Sequence, residues 1–239
     1  MNCRRLAVFL LVLPLGPSAV AGPAPFDPTD HYERRTVEGW PVLINKSLLA
    51  DQPDLARDAL TLLGQQLYQI KRHVPAASVS KLQTVRLWIE EAEPHHPCMA
   101  YHPDPSWLSD HDMNPEKARG VEVANARNFL KWTREQPWMV LHELAHAYHH
   151  QFLDGGFENL KIAEAYREAV AAKTYATVLH YDGNEVKAYA ATNPMEYFAE
   201  ASEAFFGSND FYPFVRAELR RHDPKAHDLL ANAWGTRRP

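Results

Sequence analysis

The sequence predicts an α+β fold in which strands precede a mostly helical second half. Segments of β-rich composition gather before residue 125, whereas helical periodicity dominates after residue 137. The chain of 239 residues is long enough for one globular domain with a full core, or at most for two small ones. No internal repeat divides it, so we expect a single domain.

The first 21 residues have the organisation of a secretory signal peptide. The short basic segment Met1–Arg5 precedes the apolar run Leu6–Leu15, and residues 19–21 give a small-x-small cleavage pattern. A membrane anchor is the alternative, but an apolar run of ten residues is shorter than the roughly 20 that a spanning helix needs. We expect cleavage after Ala21, a mature domain over 22–239 and a secreted protein, either extracellular or periplasmic.

Charge and cysteine content narrow the possible partners. The formal net charge is −5 with neutral histidines, and it becomes more negative once the basic leader is removed. Nucleic acid is therefore not an expected partner, because phosphate binding needs a basic surface. Cys3 leaves with the predicted leader, so the remaining Cys98 has no partner for an internal disulfide. No later segment is long enough to span a membrane, and the sequence leaves the oligomeric state open.

The first half contains the predicted strands and one long helix. Two short strands joined by a bend are predicted over 36–45, and further strands over 82–90 and 120–124. A helix is predicted over 51–74, because apolar residues recur there at helical spacing. Its apolar stripe consists of Leu55, Ala59, Leu62, Leu63, Leu67 and Ile70.

Residues 91–120 follow no period and contain five prolines and four histidines. We predict a long loop at the rim of a cleft or over it, because long loops in compact domains are usually functional. Cys98 is expected to be a free thiol in this loop. A second metal site with His95 and His96, or an inhibitory thiolate, is the less favoured alternative.

The second half is predicted to be helical. One helix runs from 137 to about 153, where Gly155 and Gly156 end it, and a second covers 157–180. After a turn at 182–184, Asn193 caps a third helix with Pro194 in its first turn. Two more helices are predicted over 211–221 and 224–233.

The first of these helices carries the pattern H-E-x-x-H as His142, Glu143 and His146. Residues four apart share a helix face, with a rise of about 6 Å between them, so both imidazoles can bind one Zn²⁺. Glu143 then lies where it can take a proton from a water that the metal activates. An amphipathic helix that shows the pattern by chance is the less favoured explanation.

The two later histidines of this helix are predicted not to bind the metal. His150 lies eight positions beyond His142, or about 12 Å of helix rise. The extended metzincin motif is also excluded, because His149 and Phe152 occupy its required glycine and histidine positions. We expect His149 and His150 to be solvated residues near the helix end, where positive charge suits the dipole.

A catalytic zinc usually has three protein ligands, so one more is needed. Glu196 and Glu200 lie four apart on the third helix and share a face. Either glutamate could bind the metal while the other orients a ligating histidine, and the spacing alone does not choose between them. The alternative, a solvent-facing acidic stripe, is less favoured because aromatic and alanine residues separate the two glutamates.

With these residues in place, the chain resembles the gluzincin metallopeptidases whose catalytic domain is like that of anthrax lethal factor. The resemblance rests on H-E-L-A-H at 142–146 and N-P-M-E-Y-F-A-E-A at 193–201, and it covers about 138–206. It implies that Glu196 is the third ligand and that Glu200 orients a histidine ligand. It also implies that Tyr189, seven residues before Glu196, stabilises the tetrahedral intermediate. The implied fold is a zincin-like domain, with a small mixed sheet packed on the active-site helix.

The expected function is that of a secreted zinc endopeptidase with one catalytic Zn²⁺ and a peptide or protein substrate. Two alternatives stay open at this stage. The first is a non-catalytic zinc-bound binding protein with the same fold, and the second is a zinc hydrolase of non-peptide bonds. Every residue that the mechanism needs is present, which favours the enzyme.

Overall fold

The computed structural model describes residues 25–236, so the predicted signal peptide lies outside the described residues. The predicted α+β class is confirmed: helices predominate, and they accompany a small mixed sheet. The strands are β1 (Tyr32–Val37), β2 (Trp40–Asn45), β3 (Leu87–Ile89), β4 (Met99–Tyr101), β5 (Val121–Val123), β6 (Val178–Leu179) and β7 (Glu185–Val186). The helices are α1 (Lys46–Asp51), α2 (Pro53–His73), α3 (Ala76–Leu82), α4 (Pro105–Asp110), α5 (Ala126–Trp132), α6 (Met139–Phe152), α7 (Leu160–Ala171), α8 (Pro194–Phe206), α9 (Arg216–His222) and α10 (Pro224–Ala233).

The five-stranded sheet has the order β1-β2-β3-β5-β4. β1 and β2 form an antiparallel hairpin, β2, β3 and β5 are parallel, and β4 runs antiparallel to β5 at the edge. Glu38 and Gly39 make the hairpin turn with φ of 52° and 96°. Positive φ at both central residues is typical of a two-residue hairpin turn of type I′, so the predicted bend is confirmed. β6 and β7 form a separate hairpin around the predicted 182–184 turn.

The two faces of the sheet pack differently because side chains alternate along each strand. Leu87 and Ile89 of β3 belong to the main core together with the apolar residues of α2 and α6. Trp88, between them, turns to the other face and packs with Tyr32 and Leu43 in a smaller cluster. The register pairs Trp88 with Glu122, so that face also holds a buried carboxylate.

Helices α6 and α8 form the centre of the second half. They contact each other extensively, and α6 also contacts β4 and β5. Every residue from Tyr197 to Phe206 is buried, as expected of a helix that is surrounded by protein. The Asn193 side chain accepts hydrogen bonds from the backbone N–H groups of Met195 and Glu196, so the predicted cap is confirmed. No helix among residues 25–236 is long and apolar enough to cross a membrane.

Several predicted boundaries are wrong. Residues 91–120 are not a continuous loop, because they contain β4 and α4, and the strand predicted over 82–90 shrinks to β3 after the short helix α3. Helix α5 was not predicted. The helix predicted over 157–180 ends at Ala171, where Lys173 adopts φ of 59° and Thr174 donates its backbone N–H to the Ala169 carbonyl. The residue in this left-handed conformation after a helix is usually glycine. Because a lysine occupies it here, the sequence does not indicate that the helix ends at this point.

Candidate metal centre

The centre is built from two helices that meet at their polar residues. His142 and His146 lie one turn apart on α6, and their Nε2 atoms are 3.1 Å apart. Glu196 lies in the first turn of α8, and its Oε2 is 3.0 Å from His142 Nε2 and 3.2 Å from His146 Nε2. The three donor atoms therefore form a compact triangle that could hold a metal ion.

The size of this triangle fits zinc. Metal–ligand distances of about 2.0–2.1 Å in a tetrahedral shell place neighbouring donor atoms roughly 3.3 Å apart. The observed separations of 3.0–3.2 Å are close to that value. Two imidazoles and one carboxylate are also the donor types that zinc accepts, and three protein ligands leave a fourth position for a water.

The electrostatics of the triangle favour a positive charge. Burial by itself raises the pKa of the Glu196 carboxyl, but hydrogen bonds from His142 and His146 outweigh burial and hold the pKa far below its usual range. Burial opposes a charge on His142, yet hydrogen bonds to Glu196 and Glu203 raise its pKa well above the usual 6.5. The same carboxylates would stabilise a metal cation bound between these side chains.

A carboxylate that the sequence reading missed lies behind His142. Glu203 Oε1 is 2.7 Å from His142 Nδ1, whereas Glu200 Oε1 is 3.7 Å from the same nitrogen. Glu203 is fully buried, and Gln136 Nε2 donates to the same Oε1 at 3.1 Å. The spacing of the glutamates on α8 could have indicated this residue, since Glu196, Glu200 and Glu203 lie at i, i+4 and i+7 on one helix face.

The triangle opens into a cleft with a volume of about 560 Å³. Glu143, next to His142 in sequence, is half-buried in the wall of the cleft. Tyr189 also lines the cleft, 47% exposed, with its ring centroid 6.4 Å from that of His142. Burial, and then the charge of Glu196, raise the pKa of the Tyr189 hydroxyl, so it keeps its proton at neutral pH.

The edge strand β4 and the residues before it form another wall of the cleft. Cys98 is a buried free thiol, as predicted, and its Sγ lies 3.4 Å from Met139 Sδ. Burial and the charge of Glu143 raise the pKa of this thiol to about 12. Among the described residues, the clustered side chains that could hold a metal ion do not include Cys98, so the structure gives no support to a second metal site at this cysteine.

Asp210, which lines the cleft, is a further residue that the sequence reading missed. It precedes Phe211 in the chain segment after α8, and both residues line the cleft. Burial, followed by the charge of Glu203, raises the pKa of the Asp210 carboxyl to about 6. The carboxylates of this region are therefore close enough to repel one another.

The prediction that His149 is solvated is wrong, whereas His150 is partly exposed. His149 is fully buried between Phe157 and Phe198, at ring-centroid distances of 5.2 Å and 5.1 Å. Burial lowers its pKa to about 3, so the ring is neutral. His150 is half-buried, and its Nδ1 lies 2.7 Å from the Tyr101 hydroxyl. Tertiary packing covers the last turn of α6, which the helix position alone did not indicate.

The structure brings the residues singled out from the sequence together in one place. His142, Glu143, His146, Tyr189, Glu196 and Glu200 all line the same cleft. Comparisons of the chain with protein-family models, with curated proteins and with solved structures find no match. The interpretation of the cleft therefore depends on its own geometry.

Proposed function

We propose that this protein is a secreted zinc-dependent endopeptidase. The observation that carries the proposal is the compact triangle of His142, His146 and Glu196 beside Glu143 in an open cleft. The residues that carry the resemblance to the lethal-factor-like gluzincins lie together in this cleft. The small mixed sheet beside α6 is also compatible with a zincin-like domain.

The metal triangle, Glu143 and Tyr189 each have a definite part in the proposed reaction. Zinc held by the triangle would supply the Lewis acidity that activates a water and neutralises developing negative charge. Glu143 accepts the proton of that water and passes it to the leaving amine. The exposed Tyr189 hydroxyl donates a hydrogen bond to the oxyanion that forms at the scissile carbonyl.

The edge strand supports a peptide as the substrate. Within residues 25–236, β4 pairs with β5 along one edge and with no strand along the other, and its residues Met99, Ala100 and Tyr101 all line the cleft. The backbone of an extended peptide can pair with an unpaired strand edge, which places it beside the metal triangle. This feature favours hydrolysis of peptide bonds over hydrolysis of other bonds.

The proposal is tested with purified protein, metal analysis and a broad peptide library with mass spectrometry of the products. We expect about one zinc per chain and cleavage by the wild type. Glu143→Gln should keep the zinc and lose about 10²–10⁴ in rate, since it removes the general base. Glu164→Gln, an exposed position on α7, is the matched control and should cleave like the wild type.

The other outcomes separate the alternatives. A zinc-loaded wild type that cleaves no peptide would favour a binding protein with the same fold. Activity on ester or other non-peptide substrates alone would favour the broader hydrolase. Full activity in Glu143→Gln would contradict the assigned general base.

A further inference from the structure

We propose that Glu203, and not Glu200, is the residue that positions His142 for metal binding. This inference rests on the proposed zinc site and adds a residue to it. It also departs from the spacing that the family resemblance implies, in which the orienting carboxylate lies four residues after the glutamate ligand.

Distance and burial separate the two glutamates. Glu203 Oε1 lies within hydrogen-bonding distance of His142 Nδ1 at 2.7 Å, whereas the nearest Glu200 oxygen is 3.7 Å away. The other Glu200 oxygen accepts a hydrogen bond from Asn209 Nδ2 at 3.0 Å. Both carboxylates are buried, so solvent exposure does not explain why they lie at different distances from His142 Nδ1. Glu200 is held by Asn209, and Glu203 is aimed at the histidine.

Gln136 fixes the direction of the Glu203 carboxylate. Its Nε2 donates to Glu203 Oε1 at 3.1 Å, the same oxygen that faces His142. Gln136 lies in the connection between α5 and α6 and lines the cleft. The carboxylate is thus anchored from outside both helices that carry the metal triangle.

The chemical consequence concerns the proton on the imidazole. A carboxylate at Nδ1 holds the proton on that nitrogen and leaves the Nε2 lone pair for the metal. It also fixes the ring orientation and raises the basicity of the ligand. His142 Nε2 is the atom that faces Glu196 and His146, so the proton and the lone pair are on the required sides.

Zinc affinity, measured by competition with a chelator, tests the inference. Glu203→Gln should weaken zinc binding about 10–100-fold, the usual cost of losing a partner of this kind. Glu200→Gln is the matched control on the same helix and should bind zinc like the wild type. Equal losses in both variants, or wild-type affinity in Glu203→Gln, would overturn the inference.

A second measurement does not depend on how well the Glu203 variant folds. In the zinc-loaded wild type, the His142 Nδ1 proton should give a strongly downfield NMR resonance, because it is hydrogen-bonded to a carboxylate. Gln136→Ala, which removes only the supporting hydrogen bond, should shift this resonance, and Glu200→Gln should not. A resonance that responds to Glu200→Gln alone would assign the role to Glu200.

These experiments distinguish a failure of the role of Glu203 from a failure of the proposed function. A wild type that binds no zinc would refute the metal site itself. Normal zinc binding and an unchanged Nδ1 resonance in Glu203→Gln would refute only the role of Glu203. Selective loss of zinc affinity in Glu203→Gln would support that role even if the protein cleaves no peptide.

Discussion

Two clusters of buried polar residues differ in how completely their side chains are paired with one another. The sheet cluster lies on the face of the sheet turned away from α6, and the metal cluster lies between α6 and α8. The sheet cluster consists of Tyr32, Asn45, Glu90, His102, Lys117 and Glu122. The metal cluster consists of His142, His146, Glu196, Glu200 and Glu203.

The sheet cluster is closed. Lys117 Nζ donates to Glu90 at 2.7 Å and to Glu122, and His102 Nε2 lies 2.6 Å from Glu122. Tyr32 and Asn45 donate to Glu90. Burial alone would lower the pKa of Lys117, but the charges of Glu122 and Glu90 outweigh it and raise the pKa. Within the described part of the chain, no buried side-chain atom of this cluster lacks a partner.

The metal cluster is open. Two imidazole nitrogens face one another and a carboxylate, and Glu203 Oε2 has no hydrogen-bond partner among residues 25–236. The cluster also borders the cleft, whereas Glu122, the carboxylate that Lys117 and His102 share, is fully buried. Buried charge is therefore fully partnered in the sheet cluster, whereas the metal cluster leaves donor atoms that could hold a metal ion.

The largest expected effect on stability comes from breaking the closed cluster. Lys117→Met leaves Glu90 and Glu122 without their shared cation and should lower the free energy of unfolding by about 3–5 kcal/mol. Lys71→Met removes the surface pair between Lys71 and Glu38 and should cost at most about 1 kcal/mol. Urea unfolding of zinc-free protein measures both. Similar small losses in the free energy of unfolding in the two variants would show that the sheet cluster does not stabilise the fold.

Zinc should stabilise the open cluster. At a free concentration of about 1,000 times its Kd, zinc should add about 4 kcal/mol to the wild type. His146→Gln should lose this gain, whereas His150→Gln, one turn further along α6, should keep it. Thermal unfolding with and without zinc gives the comparison. A gain that survives in His146→Gln would place the ion elsewhere.

Tyr189 extends the open cluster into the cleft. Tyr189→Phe should reduce the rate of peptide cleavage about 10²–10³-fold, as expected for the loss of one oxyanion donor. Its stability should not change, since the side chain is 47% exposed. Tyr181→Phe, with a similarly exposed ring on the β6–β7 hairpin, is the control in kinetic assays. Equal activity of the two variants would contradict the role of Tyr189.

The smallest expected effect is on the pH dependence of zinc binding. In the metal-free protein, hydrogen bonds to Glu196 and Glu203 outweigh burial and raise the pKa of His142 well above 6.5. Zinc must displace the ring proton, so below this raised pKa the apparent Kd should increase about tenfold for each pH unit lost. The protonated His142 stabilises the metal-free fold fully below 6.5, and this contribution disappears as pH rises through the raised pKa. Zinc titrations at a series of pH values test this, and a Kd that is constant above pH 6.5 would contradict it.

Features of the metal centre that depend on neighbouring residues could be read from the sequence. The spacing of His142 and His146 and the Asn193 cap follow from helix periodicity and from local hydrogen bonds. The β1–β2 bend and the long helix α2 follow from similar local rules. These features involve contacts within a few residues, which a single sequence specifies directly.

Other features were decided only by tertiary packing. Three glutamates share one face of α8, and only the docking of α8 on α6 determines that Glu203 is the one near His142 Nδ1. His149 looked like a surface residue by its helix position, but Phe157 and Phe198 bury it. The sequence by itself determined that His142, His146 and one of the glutamates on α8 could hold a metal. The packing of distant segments decided which carboxylate lies against His142, because that depends on distances between residues far apart in the chain.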